Sequence, residues 1–149
     1  MSVGSAADIH AVEAANQEFY GAFENADLDR MNALWAHDAD GREISCVHPG
    51  WPLLRGRGEV LRSLALIMAN TKYIQFVLTD VQVAVSGDIA VLTCSENILT
   101  ASETEEPSFA PGGNVVSTNA FVRTGEGWKL WLHHGSPVLD QVEEEVDEQ

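Results

Sequence analysis

Near residue 72 the apolar residues of this chain change spacing, from every third or fourth position to every second, and this change limits the fold more than any other feature. From Asp8 onward, Ile9, Val12, Asn16, Phe19 and Phe23 fall on one stripe flanked by Ala15 and Tyr20. The spacing predicts an amphipathic helix with Asn16 as the polar residue on its inward side. Asp27 can cap a second, shorter helix that turns Leu28, Met31, Leu34 and Trp35 inward. Residues 44–48 read as a short strand stopped by Pro49 and Gly50, and residues 51–57 read as a loop. Val60, Leu61, Leu64, Ile67 and Met68 then mark a third helix ending near Asn70.

Beyond that point residues 73–85, 89–100, 115–124 and 128–136 alternate with period two and are rich in β-branched and aromatic side chains. Ser86-Gly87-Asp88 and Gly125-Glu126-Gly127 supply tight hairpin turns, and the acidic, Pro- and Gly-containing residues 102–113 predict a long mobile loop. Helices first and strands afterwards define an α+β class. The expected form is a cone-shaped barrel, a curved antiparallel sheet with three N-terminal helices packed on its concave face. No repeat or boundary divides residues 1–149, so one domain is expected, with a core over about residues 8–138 and disorder at both ends, including the acidic tail 139–149.

Eight Lys and Arg stand against 23 Asp and Glu, a formal charge of -15. Such a surface repels phosphate backbones and anionic lipid heads, which argues against nucleic-acid and membrane-surface partners. The longest apolar run, residues 64–69, is too short to cross a bilayer, and residues 1–10 lack the pattern of a secretory signal. A cytoplasmic location is the expectation. Cys46 and Cys94 have neither disulfide-framework nor metal-finger spacing and are expected to be reduced, packed thiols.

The run Phe19-Tyr20-Gly21-Ala22-Phe23, then Ala26-Asp27-Leu28-Asp29 and Leu34-Trp35-Ala36-His37-Asp38-Ala39, resembles the opening of the nuclear transport factor 2-like superfamily. His48-Pro49-Gly50-Trp51, Leu54-Arg55-Gly56-Arg57, Thr118-Asn119-Ala120-Phe121 and Trp128-Lys129 through His133-His134-Gly135-Ser136-Pro137 narrow the likeness to its SnoaL-like branch. The fold hosts isomerases, dehydratases, cyclases and pure binders, so the resemblance implies a small-molecule pocket and leaves the reaction open. It also implies a homodimer through the outer face of the sheet, where Trp131, Val91 and Val122 would otherwise form an exposed apolar patch. Ketosteroid isomerase, a relative within the superfamily, uses a carboxylate base with a tyrosine and a protonated aspartic acid that bind an oxyanion. The matching slots here hold His48, Phe19 (with Tyr20 adjacent) and Asn119, so the steroid mechanism does not carry over.

Three residues are candidates for chemistry. His48 shares a strand face with Ile44 and Cys46 and either points into the pocket or anchors the Pro49 turn through a carbonyl. Glu96 shares an apolar face with Ala90, Leu92, Cys94 and Ile98, so it is either a general acid or base or a buried partner for Arg123 or a histidine. By parity with Trp128, Leu130 and Leu132, His134 is expected inside and His133 outside. Asn16, Phe19, Tyr20, Trp35, Trp51, Asn119 and Phe121 are expected to line the pocket, which is expected to take a small apolar ligand. Either a binding protein without assigned chemistry or an isomerase or lyase doing proton transfer on a cyclic or carbonyl compound fits this set. His48, His134 and Glu96 form a known type of ligand set, but no spacing supports a metal, and no cofactor is expected.

Overall fold

The computed structural model describes residues 1–37, 43–101 and 109–139, the last range without side chains for residues 109–113. Ser5 caps helix α1 (Ala6–Glu24), its hydroxyl accepting the Asp8 backbone N–H at 3.1 Å. Val12, Asn16, Phe19, Tyr20 and Ala22 are the buried residues of α1. Ala26 turns the chain in the left-handed region, with φ of 52°. Asp27 then caps α2 (Leu28–Leu34) by accepting from the Arg30 N–H. Strand β1 (Ser45–Val47) and the two-residue strand β2 (Leu54–Arg55) precede α3 (Arg57–Ala69), which buries Val60, Ser63, Leu64 and Met68. Strands β3 (Ile74–Ser86), β4 (Ile89–Ala101), β5 (Phe109–Thr124) and β6 (Gly127–Pro137) follow as an antiparallel meander.

The six strands form one sheet in the order β2-β1-β6-β5-β4-β3. The α+β architecture of three helices against a mostly antiparallel sheet is the one expected, with four differences. The β1 strand pairs in parallel with β6, because the chain crosses through α3 and the whole meander before β6 comes to lie beside it. Part of the expected loop 51–57 pairs back on β1 as β2. Phe109 through Gly113, expected within a loop, belong to β5 and pair with Ile98 through Ala101. The N-terminus, expected to be disordered, is tied to β3: Val3 exchanges backbone hydrogen bonds with Val83 and Val85 at 2.7 and 2.9 Å. The remainder of the expected loop and the acidic tail from residue 140 lie outside the described residues.

Of three register shifts in the meander among the described residues, those in β3 and β6 bear on which side chains reach the interior. Between Thr79 and Gln82 two residues of β3 oppose Cys94 alone, and Asp80 takes a φ of 55°. On β6, Ala120 pairs with Leu132 but Phe121 pairs with Leu130, leaving Trp131 as the extra residue. An inserted residue reverses the alternation beyond it. The helices cover the face bearing Ala90, Leu92, Cys94 and Phe121, and with Phe19, Trp35, Met31 and Leu64 these form the core.

Candidate functional site

Where α1 and α3 diverge over the sheet, a cavity of about 240 Å³ remains. Its walls are largely apolar: Phe19, Tyr20 and Phe23 from α1, Phe76 from β3, and Trp51 after β1. The polar groups at its surface come from Glu96, His48 and His133 as well as the Tyr20 phenol.

Glu96 is 3% exposed, placed inward by the alternation of β4. Its Oε2 accepts from the Tyr20 hydroxyl and from the Ser117 hydroxyl, each at 2.5 Å. Burial pushes its pKa up, and the two donors offset part of that by favouring the charged form. Oε1 has no hydrogen-bond partner among the described residues and is not sealed from the cavity, whose lining includes Glu96. Arg123, one partner considered for Glu96, instead binds Asp8 and Asp88 at the surface and stacks over Trp128 at 4.4 Å. Burial, followed by the neighbouring Glu96, drives the Tyr20 phenol well above its ordinary range. It therefore stays protonated as the donor to Glu96.

His133, not His134, is the interior histidine, which corrects the parity expectation. Trp131 is the bulged residue, so the inward set runs Trp128, Leu130, His133 and Gly135. His134 is exposed on the outer face, in a groove with Thr93 and Thr118. His133 Nδ1 lies 2.6 Å from Asn119 Oδ1. An amide oxygen can only accept, so Nδ1 carries the hydrogen and Nε2 presents a lone pair. The amide orientation follows in turn from Asn119 Nδ2, which donates to Asn16 Oδ1 at 2.8 Å and to the Tyr20 hydroxyl at 3.3 Å. His133 Nε2 has no partner among the described residues and opens on the cavity. Burial first, then the nearby His48 and His134, lowers its pKa to about 3.

His48 closes β1 on the inward side with Ile44 and Cys46. Ser63 Oγ gives its single hydrogen to the Val60 carbonyl at 2.7 Å, so the 2.8 Å contact with His48 Nε2 is a donation from the ring to Ser63. The ring does not bond a carbonyl of the Pro49 turn; the Trp51 backbone N–H closes that turn on the His48 carbonyl at 2.8 Å. Burial lowers its pKa to about 4, and its ring stands 6.3 Å from that of His133.

The structure thus brings His48, Glu96, Phe19, Tyr20 and Trp51 to one cavity and leaves others of the expected set elsewhere. Trp35 is fully buried behind Phe19, whose ring meets it edge-on at 6.1 Å and stands between it and the space. Phe121 is fully buried against Ala90 and Leu130 in the closed half of the sheet. Asn16 and Asn119 are buried supports behind the cavity; Asn16 borders a separate groove with His10 and Val81. A trio of His48, His134 and Glu96 is not assembled, because His134 faces the opposite side of the sheet. Among the described residues no three His, Cys, Asp or Glu side chains gather as a metal site. Sequence reasoning missed His133, Ser117 and Phe76. Alternation alone signals Ser117 beside Asn119 and Phe76 beside Ile74, whereas the bulge that turns His133 inward has no local mark.

A largely apolar cavity with a carboxyl and two imidazoles, set between three helices and a mostly antiparallel sheet, is an arrangement of the nuclear transport factor 2-like type. The chain belongs to the SnoaL-like domain family, whose model matches residues 12–140. It is 52% identical to a Streptomyces avermitilis protein of the nuclear transport factor 2-like family provisionally named a dehydratase, over 89% of this chain and 97% of that one, with a TM-score of 0.83. A Thiobacillus denitrificans structure provisionally named a calcium/calmodulin-dependent protein kinase type II association domain is 27% identical, covering 93% of this chain and 99% of its own, with a TM-score of 0.71. A Novosphingobium aromaticivorans protein with a cystatin-like fold shares the architecture at 18% identity, covering 95% and 89% of the two chains, with a TM-score of 0.69. A search of curated proteins finds no match.

Proposed function

We propose that this protein is a proton-transfer enzyme that removes water from a small, mainly apolar hydroxylated carbonyl compound held in the cavity. The observation that carries this reading is that Glu96 Oε1 and His133 Nε2, one a potential proton donor and the other a lone pair, are both unpartnered among the described residues and open on the same apolar space. His133 Nε2 would take a proton from the carbon beside the carbonyl, and the electrons of that C–H bond would form the new double bond. The C–O bond would break as the Glu96 carboxyl protonates the departing hydroxyl, releasing water. This leaves an imidazolium and a carboxylate, opposite charges that stabilise each other in a poorly solvated site until the proton returns to Glu96. The 52% identical protein provisionally named a dehydratase supports the reaction class.

Ligand binding without turnover is the second reading, favoured by the saturation of Asn119. Its amide serves Asn16, Tyr20 and His133, so the residue in the oxyanion-donor slot has no hydrogen left for a substrate oxygen. Native mass spectrometry of freshly purified protein, then incubation with hydroxylated carbonyl compounds, separates the two. Loss of water from a compound, abolished in Glu96→Gln, is expected; stabilisation by ligands with no product in any incubation would establish the binder.

We also propose a homodimer through the outer sheet face, where Val77, Val91 and Val116 are exposed. Val122, expected in that patch, is 1% exposed, and Trp131 packs partly against the core, so neither is a clean test of it. A Val116→Glu variant should run at the 16.2 kDa monomer mass in light scattering while the parent runs at twice that. The two buried thiols suit a reducing, cytoplasmic setting; among the described residues no helix is long and apolar enough to cross a membrane.

A further inference from the structure

We propose that the cavity selects a substrate that carries no negative charge and is built on a single ring, and that Phe76 sets this size limit. The inference rests on the proton-transfer reading only for which end of the ligand reacts. Size follows from volume: a protein cavity of about 150 Å³ holds benzene, and this one measures about 240 Å³. The difference leaves room for one ring and a few substituent atoms, about ten non-hydrogen atoms in all. A steroid or other tetracyclic skeleton is too large to lie wholly within this volume.

Shape agrees with this. Tyr20 and Phe76 lie 4.9 Å apart at 61°, and Phe23 meets Phe76 at 5.2 Å and 81°. These rings form an angled wall against which a flat ring can rest in offset or edge contact. Phe76 belongs to both contacts and forms part of the cavity wall, so shortening its side chain enlarges the space open to a second ring.

Negative charge is excluded by what faces the ligand. No Lys or Arg lines the cavity among the described residues. Burial holds His48 and His133 in their neutral forms at pH 7, with pKa values of about 4 and about 3. Glu96 offers a neutral acid or a negative charge, never a positive one. A carboxylate or phosphate on the ligand would lose its hydration and gain no counter-charge, and the chain's formal charge of -15 repels its approach. Such a substituent should weaken binding by roughly a hundredfold or more.

The test is calorimetric binding to the full chain of a panel of neutral one-ring ketones and hydroxyketones that includes acetophenone, together with para-acetylbenzoate, acetylnaphthalene and androstenedione. Saturable binding of members of the neutral one-ring panel is expected. The carboxylate should bind at least roughly a hundredfold more weakly than acetophenone, and the steroid not at all. Phe76→Ala, and Phe76→Leu if the alanine variant unfolds, should shift preference towards acetylnaphthalene by tenfold or more. Equal binding of acetophenone and its carboxylate, tighter parental binding of the larger ketones, an unchanged preference in the folded Phe76 variant, or no binding from the neutral panel would each overturn the proposal. Because the readout is binding, a Glu96→Gln protein that keeps this selectivity while the parent turns over none of the compounds would end the dehydratase reading and leave the size and charge selection standing.

Discussion

Tyr20 donates its phenol hydrogen to Glu96 Oε2 across 2.5 Å, joining the first helix to the fourth strand over a sequence separation of 76 residues. The bond leaves Glu96 with one oxygen occupied by two hydroxyl donors and the other, among the described residues, unpartnered on the cavity side. It also makes the phenol oxygen an acceptor for Asn119, so carboxyl, phenol, amide and imidazole form one connected network.

Removing the phenol hydroxyl should therefore act in two places. In Tyr20→Phe the charged form of Glu96 loses a donor and Asn119 loses an acceptor. A cost of about 1–3 kcal/mol is expected in chemical denaturation at pH 7, together with a further rise in the Glu96 pKa seen by carboxyl NMR. An unchanged Glu96 titration would show that the bond does not govern this carboxyl.

Glu96→Gln should become more favourable, relative to the parent, as pH rises. The folded-state pKa of Glu96 lies above its usual value of 4.5, so the folded protein holds this proton more tightly than the unfolded chain. Its contribution is fully present below 4.5 and is lost as pH climbs through the folded pKa. Glutamine does not ionise and can still accept from Tyr20 and Ser117. Melting curves in steps from pH 4 upward should show the variant gaining on the parent; a constant difference would contradict the raised pKa.

The two interior histidines carry the opposite sign. Their folded pKa values of about 4 and about 3 lie below the usual 6.5, so unfolding takes up protons once the pH falls beneath 6.5. The stability they contribute is complete above 6.5 and is lost progressively down to the folded values, each ring losing about 1.4 kcal/mol for every full step of pH across that window. His133→Gln should flatten this acid limb in urea titrations between pH 6.5 and 4. A limb as steep as that of the parent would place the acid sensitivity elsewhere.

Asn119 should hold His133 in one tautomer. Nitrogen NMR of the labelled imidazole is expected to report Nδ1–H in the parent and a mixture of tautomers in Asn119→Leu, where the acceptor for that hydrogen is gone. A ring that keeps Nδ1–H in the variant would remove the amide from this role.

The bulge at Trp131 predicts unequal neighbours. His134→Ala on the outer face should change stability by no more than about 0.5 kcal/mol and leave cavity binding intact. His133→Ala opens space in the interior, strands the Asn119 amide and should cost at least about 2 kcal/mol on the scale of core truncations. Equal effects would contradict the register of β6.

Local periodicity determined the three helices, the strands of the meander and the inward placement of Glu96, because a side chain's direction within a regular element depends only on its spacing from its neighbours. The cap at Asp27 and the run from Ile44 to His48 were legible for the same reason, and the motif resemblance pointed to the family. Whatever depended on an interruption of that regularity or on distant pairing was decided by the tertiary structure. Trp131 is one residue too many for its partner strand, and only the pairing of β6 with Ala120 and Phe121 shows that the interior histidine is His133. Asn119 meets Asn16 across 103 residues of chain, and β1 finds β6 only after the meander is complete. Those contacts bring Glu96, His48 and His133 to one cavity, because the direction of each side chain is set locally while their convergence requires the sheet to have closed beneath the helices.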